Sequence, residues 1–175
     1  TGMANEKEIV EALKILKYNK VILMHCVSLY PCPSKLANLN RIVSLRKKFK
    51  RKIGYSDHCL GINSVITSIN LGTVAIEKHF TDNKSRTGFD HSLSADYNDL
   101  KKIVEYSNIY NDIKGIGKIN PSEKEKKMRI FARKSIYYKH DISKEQILRI
   151  NDLEIRRPGY GLEPKNLSKI LNKKL

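Results

Sequence analysis

Residues 53–62 read IGYSDHCLGI, a short apolar run that ends in Ser56, Asp57 and His58. The next segment, GINSVITSINLG at 61–72, repeats its apolar residues at the spacing of an amphipathic helix. A strand that ends in polar residues and leads into a helix is typical of a βα unit in a parallel sheet. We therefore interpret this stretch as a strand end that carries polar groups toward a site. The alternative is a polar turn with no further role.

The segments on either side follow the same alternation of strand and helix. Two further apolar runs, VILMHCV at 21–27 and TVAIEKHF at 73–80, are predicted to be strands. Helices are predicted over residues 5–17, from Ser34 to Phe49, and from about Ser94 to Ile109. The first helix begins with Asn5 and has Glu8 three residues on, which is the pattern of a capping box. The alternation predicts an α/β fold with parallel strands and right-handed crossovers.

The chain is expected to comprise two folded parts. Residues 1–114 hold three βα units, preceded by a helix that has no strand before it. Because three parallel strands alone leave open sheet edges, these units are predicted to belong to a larger α/β protein. Residues 115–132 form a Lys-rich linker or helix. Residues 133–175 contain two short alternating segments and a turn at PGYGLEP, and they are predicted to form a small, incomplete β-rich module.

The composition narrows the class of protein. The 175 residues include 34 Lys and Arg against 18 Asp and Glu, a net charge of +16, and 40% are hydrophobic. The excess Lys is spread over helix faces and the tail, so nucleic acid is not expected to be the principal partner. The positive electrostatic field of the chain would, however, favour an anionic small substrate. No apolar run reaches the length of a membrane span, about 18 residues, and the first residues lack a secretory signal. We expect a cytoplasmic protein without a membrane partner.

The three cysteines, Cys26, Cys32 and Cys59, do not show a Cys-x-x-Cys spacing. Neither a paired disulfide framework nor a zinc knuckle is therefore indicated. We expect buried, reduced thiols.

Side-chain alternation along a strand predicts which polar groups share a face. On the middle strand Ser56 and His58 share a face and Asp57 points the other way, while Glu77 and His79 share a face on the last strand. In parallel α/β folds the ligand site lies at the carboxyl ends of the strands. The residues expected to converge on one cleft are Ser28 and Tyr30, just past the first strand, together with Ser56, His58, Glu77 and His79.

Two imidazoles on adjacent strand ends, those of His58 and His79, are a candidate divalent-metal site. Neutral imidazole nitrogens suit Zn, Mn, Fe or Co, and two protein ligands leave positions open for water and substrate. The alternative is a hydrogen-bonded histidine pair at the rim of the sheet. His25 has the opposite parity, so we expect it to pack between strand and helix or to bond a backbone carbonyl. Asp90 is expected either to reach the cleft or to act as a turn or N-cap residue before a helix near Ser94.

Seven short motifs occur in one order along the chain. They are TGMA at 1–4, HCVSLYP at 25–31, GYSDHCLGI at 54–62, IEKHFT at 76–81, FDHSLS at 89–94, ARKSI at 132–136 and RRPGYG at 156–161. Their order and spacing resemble those of the sialic acid synthase family, which includes the N-acetylneuraminate, legionaminate and pseudaminate synthases. Any one motif is weak, but seven in register over essentially the whole chain are specific.

The resemblance implies a fold. Members of that family have an eight-stranded TIM (β/α) barrel followed by a small antifreeze-like (SAF) domain, and they act as domain-swapped homodimers. This chain would then supply about three βα units, the last of the barrel, followed by the linker and most of the SAF domain. The family's phosphate-binding lysines come from earlier strands, so the chain alone is expected to be inactive and marginally stable.

The resemblance also implies a reaction. The family joins phosphoenolpyruvate to an N-acetylated amino sugar, such as N-acetylmannosamine, to give a nonulosonic acid and phosphate. The implied cofactor is a divalent metal, Mn²⁺ with Mg²⁺ or Co²⁺ as alternatives, which polarises the sugar aldehyde for attack by carbon three of phosphoenolpyruvate. The resemblance implies that His58 and His79 are the metal ligands and that Glu77 is a third catalytic residue. It implies that the substrates are bound by Ser28, Tyr30, Ser56 and Asp90, with Ser56 at the phosphate. It also implies that Arg157 reaches from the small domain of a partner subunit to the N-acetyl group.

Three departures from the family pattern bear on which sugar is used: Val27 and Ser28 after HC, Phe89 in TGFD and Tyr160 in RPGYG. Two other functions remain open on the sequence. One is a different metal-dependent barrel aldolase or isomerase that does not use phosphoenolpyruvate. The other is a non-catalytic basic module that binds nucleic acid or acidic glycans through its Lys-rich surface.

Overall fold

The computed structural model describes residues 1–16 and 20–174, which divide into two compact units, Thr1–Ile116 and Gly117–Leu175. Lys17, the last residue of the first predicted helix, and Leu175, the last of the predicted β-rich module, lie outside the described residues. The elements of the first unit are α1 (Glu6–Leu16), β1 (Ile22–Cys26), α2 (Asn40–Phe49), β2 (Lys52–Asp57), α3 (Asn63–Asn70), β3 (Ile76–Lys78) and α4 (Tyr97–Lys114).

The first helix begins at the predicted capping box. The Asn5 N–H donates to Glu8 Oε2 at 2.7 Å, and Asn5 Oδ1 accepts from the amides of Lys7 and Glu8 at 2.9 and 3.2 Å. These bonds satisfy donors that have no partner inside the helix. The helix buries Ile9 against the sheet, so both its start and its inner face agree with the sequence pattern.

The second predicted helix is wrong in its first part. Residues Ser34–Leu36 form a short 3₁₀ helix, and α2 begins only at Asn40. Between them Asn38 has a φ of 46°, in the left-handed region that asparagine tolerates better than most residues. The backbone therefore turns before α2, and the apolar spacing across residues 34–49 does not represent one continuous helix.

The three strands form one parallel sheet in the order β1-β2-β3. Strands β1 and β2 pair over five rungs, from Ile22 with Lys52 to Cys26 with Ser56. Strand β3 is shorter than the predicted 73–80, since its ladder with β2 has three rungs and ends at Asp57 with Lys78. The three parallel strands with helices between them show the α/β fold that the alternation predicts.

One face of the sheet is covered by helices. Leu23 of β1 and the β2 residues Ile53 and Tyr55 pack there against Ile42 and Leu45 of α2 and against α1. Full burial of a side chain such as that of Ile42 stabilises the fold by about 1.5–3 kcal/mol. The residues between these positions point to the opposite face, where the polar strand-end residues lie.

The last helix of the unit starts later than predicted, at Tyr97 rather than near Ser94. Asp96 is its N-cap, with its side chain accepting from the Asp99 amide at 2.9 Å. Ser94 is buried instead, and its amide and hydroxyl both donate to the carbonyl of Asp90. Asp90 therefore belongs to a turn before the helix and is not its N-cap.

The second unit is small and contains one antiparallel pair of strands. Its elements are α5 (Glu123–Ala132), β4 (Ser135–Tyr138), β5 (Leu153–Arg156) and α6 (Leu167–Ile170). Its core consists of Ile136, Leu148 and Leu153. Helix α5 opens on a capping box between Ser122 and Glu125 and lies inside this unit, so much of the predicted linker 115–132 is ordered helix.

Candidate active site at the carboxyl end of the sheet

The parallel register brings Ser56 and Glu77 side by side on the face that points away from the helices. They are partners on adjacent strands, and Ser56 Oγ donates to Glu77 Oε1 at 2.7 Å. Glu77 is exposed, and its second oxygen has no hydrogen-bond partner among the described residues. The register therefore adds a pairing to the predicted convergence of these two residues, and one oxygen of the exposed Glu77 carboxylate stays unpartnered among the described residues.

His58 lies just beyond the last residue of β2 and is buried. Its Nδ1 atom is 2.9 Å from the carbonyl oxygen of Val27. Because a carbonyl only accepts, Nδ1 carries a proton, and in the neutral form of the ring the lone pair is on Nε2. The ring lies against Tyr30, with 4.1 Å between centroids. His58 therefore presents an imidazole of fixed tautomer to the site.

His79 lies at the equivalent position beyond β3. Its ring is 5.3 Å from that of His58 and 5.8 Å from that of Tyr30, centroid to centroid. Its Nδ1 atom is 3.5 Å from Asp90 Oδ2. The rings of Tyr30, His58 and His79 thus lie together, as predicted. Asp90 reaches the same cluster through its carboxylate while its backbone forms the turn before α4, so the cleft and turn alternatives both describe it.

The turn that carries Asp90 is tied to the strand end. The Ala95 N–H donates to the His79 carbonyl at 2.7 Å, and the Thr81 N–H donates to the Ala95 carbonyl at 2.9 Å. Thr81 Oγ1 is 2.8 Å from His91 Nδ1, and Thr81 is buried. These bonds fix the turn from both ends, so the Asp90 carboxylate is held next to the His79 ring.

Ser28 lies at the border of the cluster. Its Oγ is 4.0 Å from Cys26 Sγ, and Cys26 Sγ is 3.9 Å from Nδ1 of His58. A Cβ added at Gly2 would lie 2.6 Å from Ser28 Oγ, so a larger residue at that position would require the Ser28 side chain to move. Ser28 thus neighbours the site, but it does not contact Tyr30 or His79 in any bond of the described chain.

Arg157 belongs to the second unit and is exposed at the end of β5. The segment around it is anchored, because Tyr137 Oη donates to the Pro158 carbonyl at 2.6 Å and the Arg156 guanidinium lies 4.3 Å from the centroid of the Tyr137 ring. The Gly161 N–H donates to Ser135 Oγ at 3.0 Å. The role of Arg157 at a partner's site stays a prediction.

His25 is separate from the site, as its parity predicts. Its Nε2 atom is 2.8 Å from the Ala37 carbonyl, its ring stacks on Tyr55 at 5.6 Å, and it is fully buried. Burial lowers the pKa of His25, outweighing the hydrogen bond to Ala37, which acts in the opposite direction. The ring is therefore a neutral part of the packing between sheet and helix.

The sequence reasoning missed a buried ion pair behind the site. Lys78 Nζ lies 2.7 Å from Asp57 Oδ2, and the two side chains are 5% and 0% exposed. Burial raises the pKa of the Asp57 carboxyl, but hydrogen bonds from Lys78, Tyr55 and the Cys59 amide together hold that pKa below its ordinary value. The signal was present in the sequence, because Asp57 and Lys78 have the parity that points both side chains to the helix side.

The thiols differ in environment. Cys32 and Cys59 are buried, Cys26 is half-buried, and all three are free. Burial, together with the neighbouring Cys59 thiol, raises the pKa of Cys32 to about 11. The expectation of reduced, buried thiols is confirmed for Cys32 and Cys59.

A divalent metal in a protein is held by His, Cys, Asp or Glu donors that converge on one point. Among residues 1–16 and 20–174, no group of three or more His, Cys, Asp or Glu side chains is arranged to hold a metal ion. The two imidazoles alone fit the role of ligands, since each has its Nδ1 atom beside an acceptor, the Val27 carbonyl or the Asp90 carboxylate. Metal-binding histidines are usually oriented by such an outer partner on the second ring nitrogen. A metal at His58 and His79 stays a prediction that the geometry permits.

Comparison with known proteins decides the family. The sequence profile of the NeuB family matches residues 1–118. The chain belongs to the NeuB family. The resemblance inferred from the seven motifs is thereby confirmed.

Two NeuB relatives and one solved structure illustrate the match. The chain is 37% identical over 177 residues to the pseudaminic acid synthase of Campylobacter jejuni, covering 99% of this chain and 51% of that protein. It is 36% identical over 178 residues to the N,N'-diacetyllegionaminic acid synthase of Campylobacter jejuni, covering 99% and 53%. The crystal structure of the N-acetylneuraminic acid synthetase of Leptospira borgpetersenii superposes with a TM-score of 0.65 at 38% identity, covering 73% of this chain and 45% of that one. The chain spans about half the length of the curated relatives it matches.

Within the part of the chain that the structure describes, no helix has the length and apolar character needed to cross a membrane.

Proposed function

We propose that this chain forms the metal-binding half of the active site of a nonulosonic acid synthase, which condenses phosphoenolpyruvate with an N-acetylated amino sugar and releases phosphate. The observation that carries the proposal is the pair of imidazoles of His58 and His79, 5.3 Å apart at the ends of adjacent parallel strands. The NeuB relatives named as synthases of pseudaminic and legionaminic acid support this reaction class.

The sheet edges support a larger barrel. Strands β1 and β3 are the outer strands of the sheet. Beyond β3 a groove of about 670 Å³ is lined by apolar and polar side chains. Several of its large apolar residues are exposed, among them Val74 at 53%, Phe80 at 58% and Val104 at 49%. Exposed apolar surface of this kind beside an unpaired strand is normally covered in the complete protein. We propose that this chain supplies three of eight βα units of a TIM barrel and that the second unit is the SAF domain.

His58 and His79 are the proposed ligands of a divalent metal, Mn²⁺ in the first instance. When bound, such a metal supplies Lewis-acid polarisation of the open-chain sugar aldehyde. The protein's contribution is orientation, since the Val27 carbonyl holds the His58 ring and the Asp90 carboxylate lies beside the His79 ring. Both Nε2 atoms are thereby left to bind the cation.

The bond changes assign roles to the neighbouring side chains. Carbon three of phosphoenolpyruvate forms a bond to the aldehyde carbon, the aldehyde oxygen takes a proton, water adds at carbon two, and the tetrahedral product expels phosphate. Glu77 is proposed to accept the proton of that water on its unpartnered oxygen, which is supported by the hydrogen bond that its other oxygen accepts from Ser56. Ser56 is the proposed contact to the phosphate, and its single hydroxyl proton, which Glu77 accepts in this structure, would then be donated to a phosphate oxygen instead.

Tyr30 and Asp90 are proposed to border the amino sugar. Tyr30 is half-exposed at 53% and lies against the His58 ring, so a substrate that reaches the imidazoles passes this phenol. Ser28, two residues before Tyr30 in the chain, is proposed to extend the same border. Arg157 is proposed to reach the N-acetyl group from a partner subunit in a domain-swapped homodimer, because its guanidinium is exposed on an anchored loop and offers several fixed donors.

Phosphate release tests the proposal. The full-length protein that contains these residues is incubated with phosphoenolpyruvate, Mn²⁺ and N-acetylated amino sugars, and inorganic phosphate is measured. We expect sugar-dependent release that the His58→Ala/His79→Ala double variant loses and the His140→Ala control, at an exposed histidine of the second unit, retains. The 175-residue chain alone is expected to release none. Sugar-dependent turnover without any phosphate would instead indicate an aldolase or isomerase and refute the synthase.

A further inference from the structure

The buried pair of Asp57 and Lys78 lies on the helix side of the sheet, directly behind the candidate site. Each residue immediately precedes one of the two site histidines in the chain. We propose that this ion pair is a positioning device that fixes the imidazoles of His58 and His79 relative to each other. The metal-related part of this inference rests on the proposed function, whereas the geometric part does not.

Both oxygens of the Asp57 carboxylate are fully engaged. Oδ2 accepts from Lys78 Nζ at 2.7 Å. Oδ1 accepts from Tyr55 Oη at 2.8 Å, from the Cys59 amide at 3.0 Å and from Ser64 Oγ at 2.8 Å. The carboxylate therefore joins β2, β3 and the first turn of α3, and any movement of one element breaks a charge-assisted bond to another.

The same groups hold the backbone on either side of His58. Lys78 Nζ also donates to the Cys59 carbonyl at 2.7 Å, while the Cys59 N–H donates to Asp57. From the opposite direction, the Cys32 N–H donates to the His58 carbonyl at 2.8 Å. The peptide units around His58 are thus bonded to β3 on one side and to the segment after β1 on the other.

The position of the pair in the ladder explains why such a link is needed. The rung of Asp57 with Lys78 is the last one between β2 and β3, so both histidines lie beyond the regular backbone ladder. An apolar pair at this rung would bury comparable area, and a buried ion pair is often no more stabilising than one. An apolar pair would not bond the Cys59 peptide, however. The charged pair therefore fixes the backbone around His58 at a point where the hydrogen bonds of the strand ladder have ended.

A neutral replacement separates positioning from stability. In Asp57→Asn/Lys78→Met the amide oxygen can still accept from Tyr55, Ser64 and the Cys59 amide, while both charges and the Lys78 bonds are removed together. We expect a folding equilibrium constant within about tenfold of the parent, because no charge is left buried alone. We also expect loss of the nuclear Overhauser contacts between the ring protons of His58 and His79, and a fall of about 10–100-fold in Mn²⁺ affinity.

Two further variants sharpen the comparison. Glu6→Gln/Lys48→Met neutralises an exposed ion pair between α1 and α2 and should change neither the ring contacts nor the Mn²⁺ affinity. Lys78→Arg keeps the charge pair but moves the donors, so it should fold while weakening Mn²⁺ binding. It also supplies the test if the neutral double variant does not fold.

The outcomes are distinct. Unchanged ring contacts and unchanged Mn²⁺ affinity in the folded Asp57→Asn/Lys78→Met or Lys78→Arg protein would overturn the positioning role. If the parent binds no Mn²⁺ through its histidines, the metal in the proposed function is refuted. In that case the ring contacts alone still decide the positioning role, being lost if the inference is right and kept if it is wrong.

Discussion

Replacing Lys78 alone, by Lys78→Met, should destabilise the protein in a strongly pH-dependent way. The substitution keeps the aliphatic stem but leaves the Asp57 carboxylate at 0% exposure without its cation. Breaking a buried pair by removing one partner typically costs about 3–5 kcal/mol at neutral pH. The Lys78 bond to the Cys59 carbonyl is lost as well. We therefore expect a loss of unfolding free energy of about 3–5 kcal/mol at pH 7.

The sign of the pH dependence follows from the carboxyl group. In the parent the folded-state pKa of Asp57 lies below its ordinary value, so this group's contribution to stability is present above about pH 4 and fades as the pH falls through the lowered pKa. Removing Lys78 takes away the second-largest influence on that pKa, after burial, and the pKa rises. The gap in unfolding free energy between parent and variant should therefore widen as the pH increases and narrow toward pH 4.

Urea unfolding between pH 4 and pH 7.5, followed by circular dichroism, measures this gap. Lys84→Met is the matched control, since Lys84 also pairs with carboxylates, those of Asp96 and Asp99, but its side chain is 35% exposed. The control should lose no more than about 1 kcal/mol. A Lys78→Met loss as small as that of the control, or one that stays constant from pH 4 to pH 7.5, would refute the reasoning.

Three smaller predictions concern other parts of the chain. Cys32 should resist iodoacetamide at pH 7.5 in the folded protein, because it is buried and its pKa is raised to about 11. It should react once urea unfolds the chain, and mass spectrometry measures both reactions. Rapid labelling of Cys32 in the folded protein would contradict this. Ile42→Ala should lower the unfolding free energy, measured by urea titration, by about 2–5 kcal/mol. The control Val43→Ala, at a residue of the same helix that is 43% exposed, should lower it by less than about 0.5 kcal/mol. Equal losses would show that Ile42 is not in the core. Tyr137→Phe should lower the melting temperature of the second unit by removing the bond to the Pro158 carbonyl, worth about 0.5–1.5 kcal/mol, and an unchanged melting curve would argue against that bond.

The alternation of side chains along the strands predicted the site better than the other sequence patterns did. Because a side chain's face is set by its parity, the spacing placed Ser56 and His58 on one face of the middle strand and Glu77 and His79 on one face of the last, and it set His25 apart. The same argument led away from Asp57, since a helix-facing residue was given no role. Asp57 and Lys78 share the parity that faces the helices, but the register between the strands is what shows that they lie directly opposite each other.

Helix boundaries were predicted less well, for a physical reason. Ser94 and Asp96 are both suited to be an N-cap, and a tertiary contact decides between them, because Ser94 is bonded to the Asp90 carbonyl. In the same way Asn38 adopts a left-handed backbone that local spacing does not indicate, and α2 begins after it. Periodicity identifies an element, whereas contacts from distant residues select where it starts.

Anomalous diffraction at the manganese edge, from crystals of the protein grown with Mn²⁺, tests the central claim most directly. We predict one strong peak between the imidazoles of His58 and His79, within bonding distance of both Nε2 atoms, and no such peak for the His58→Ala/His79→Ala variant. A peak elsewhere, or two histidines that bond each other with no metal between them, would contradict a metal-binding active site at this end of the sheet.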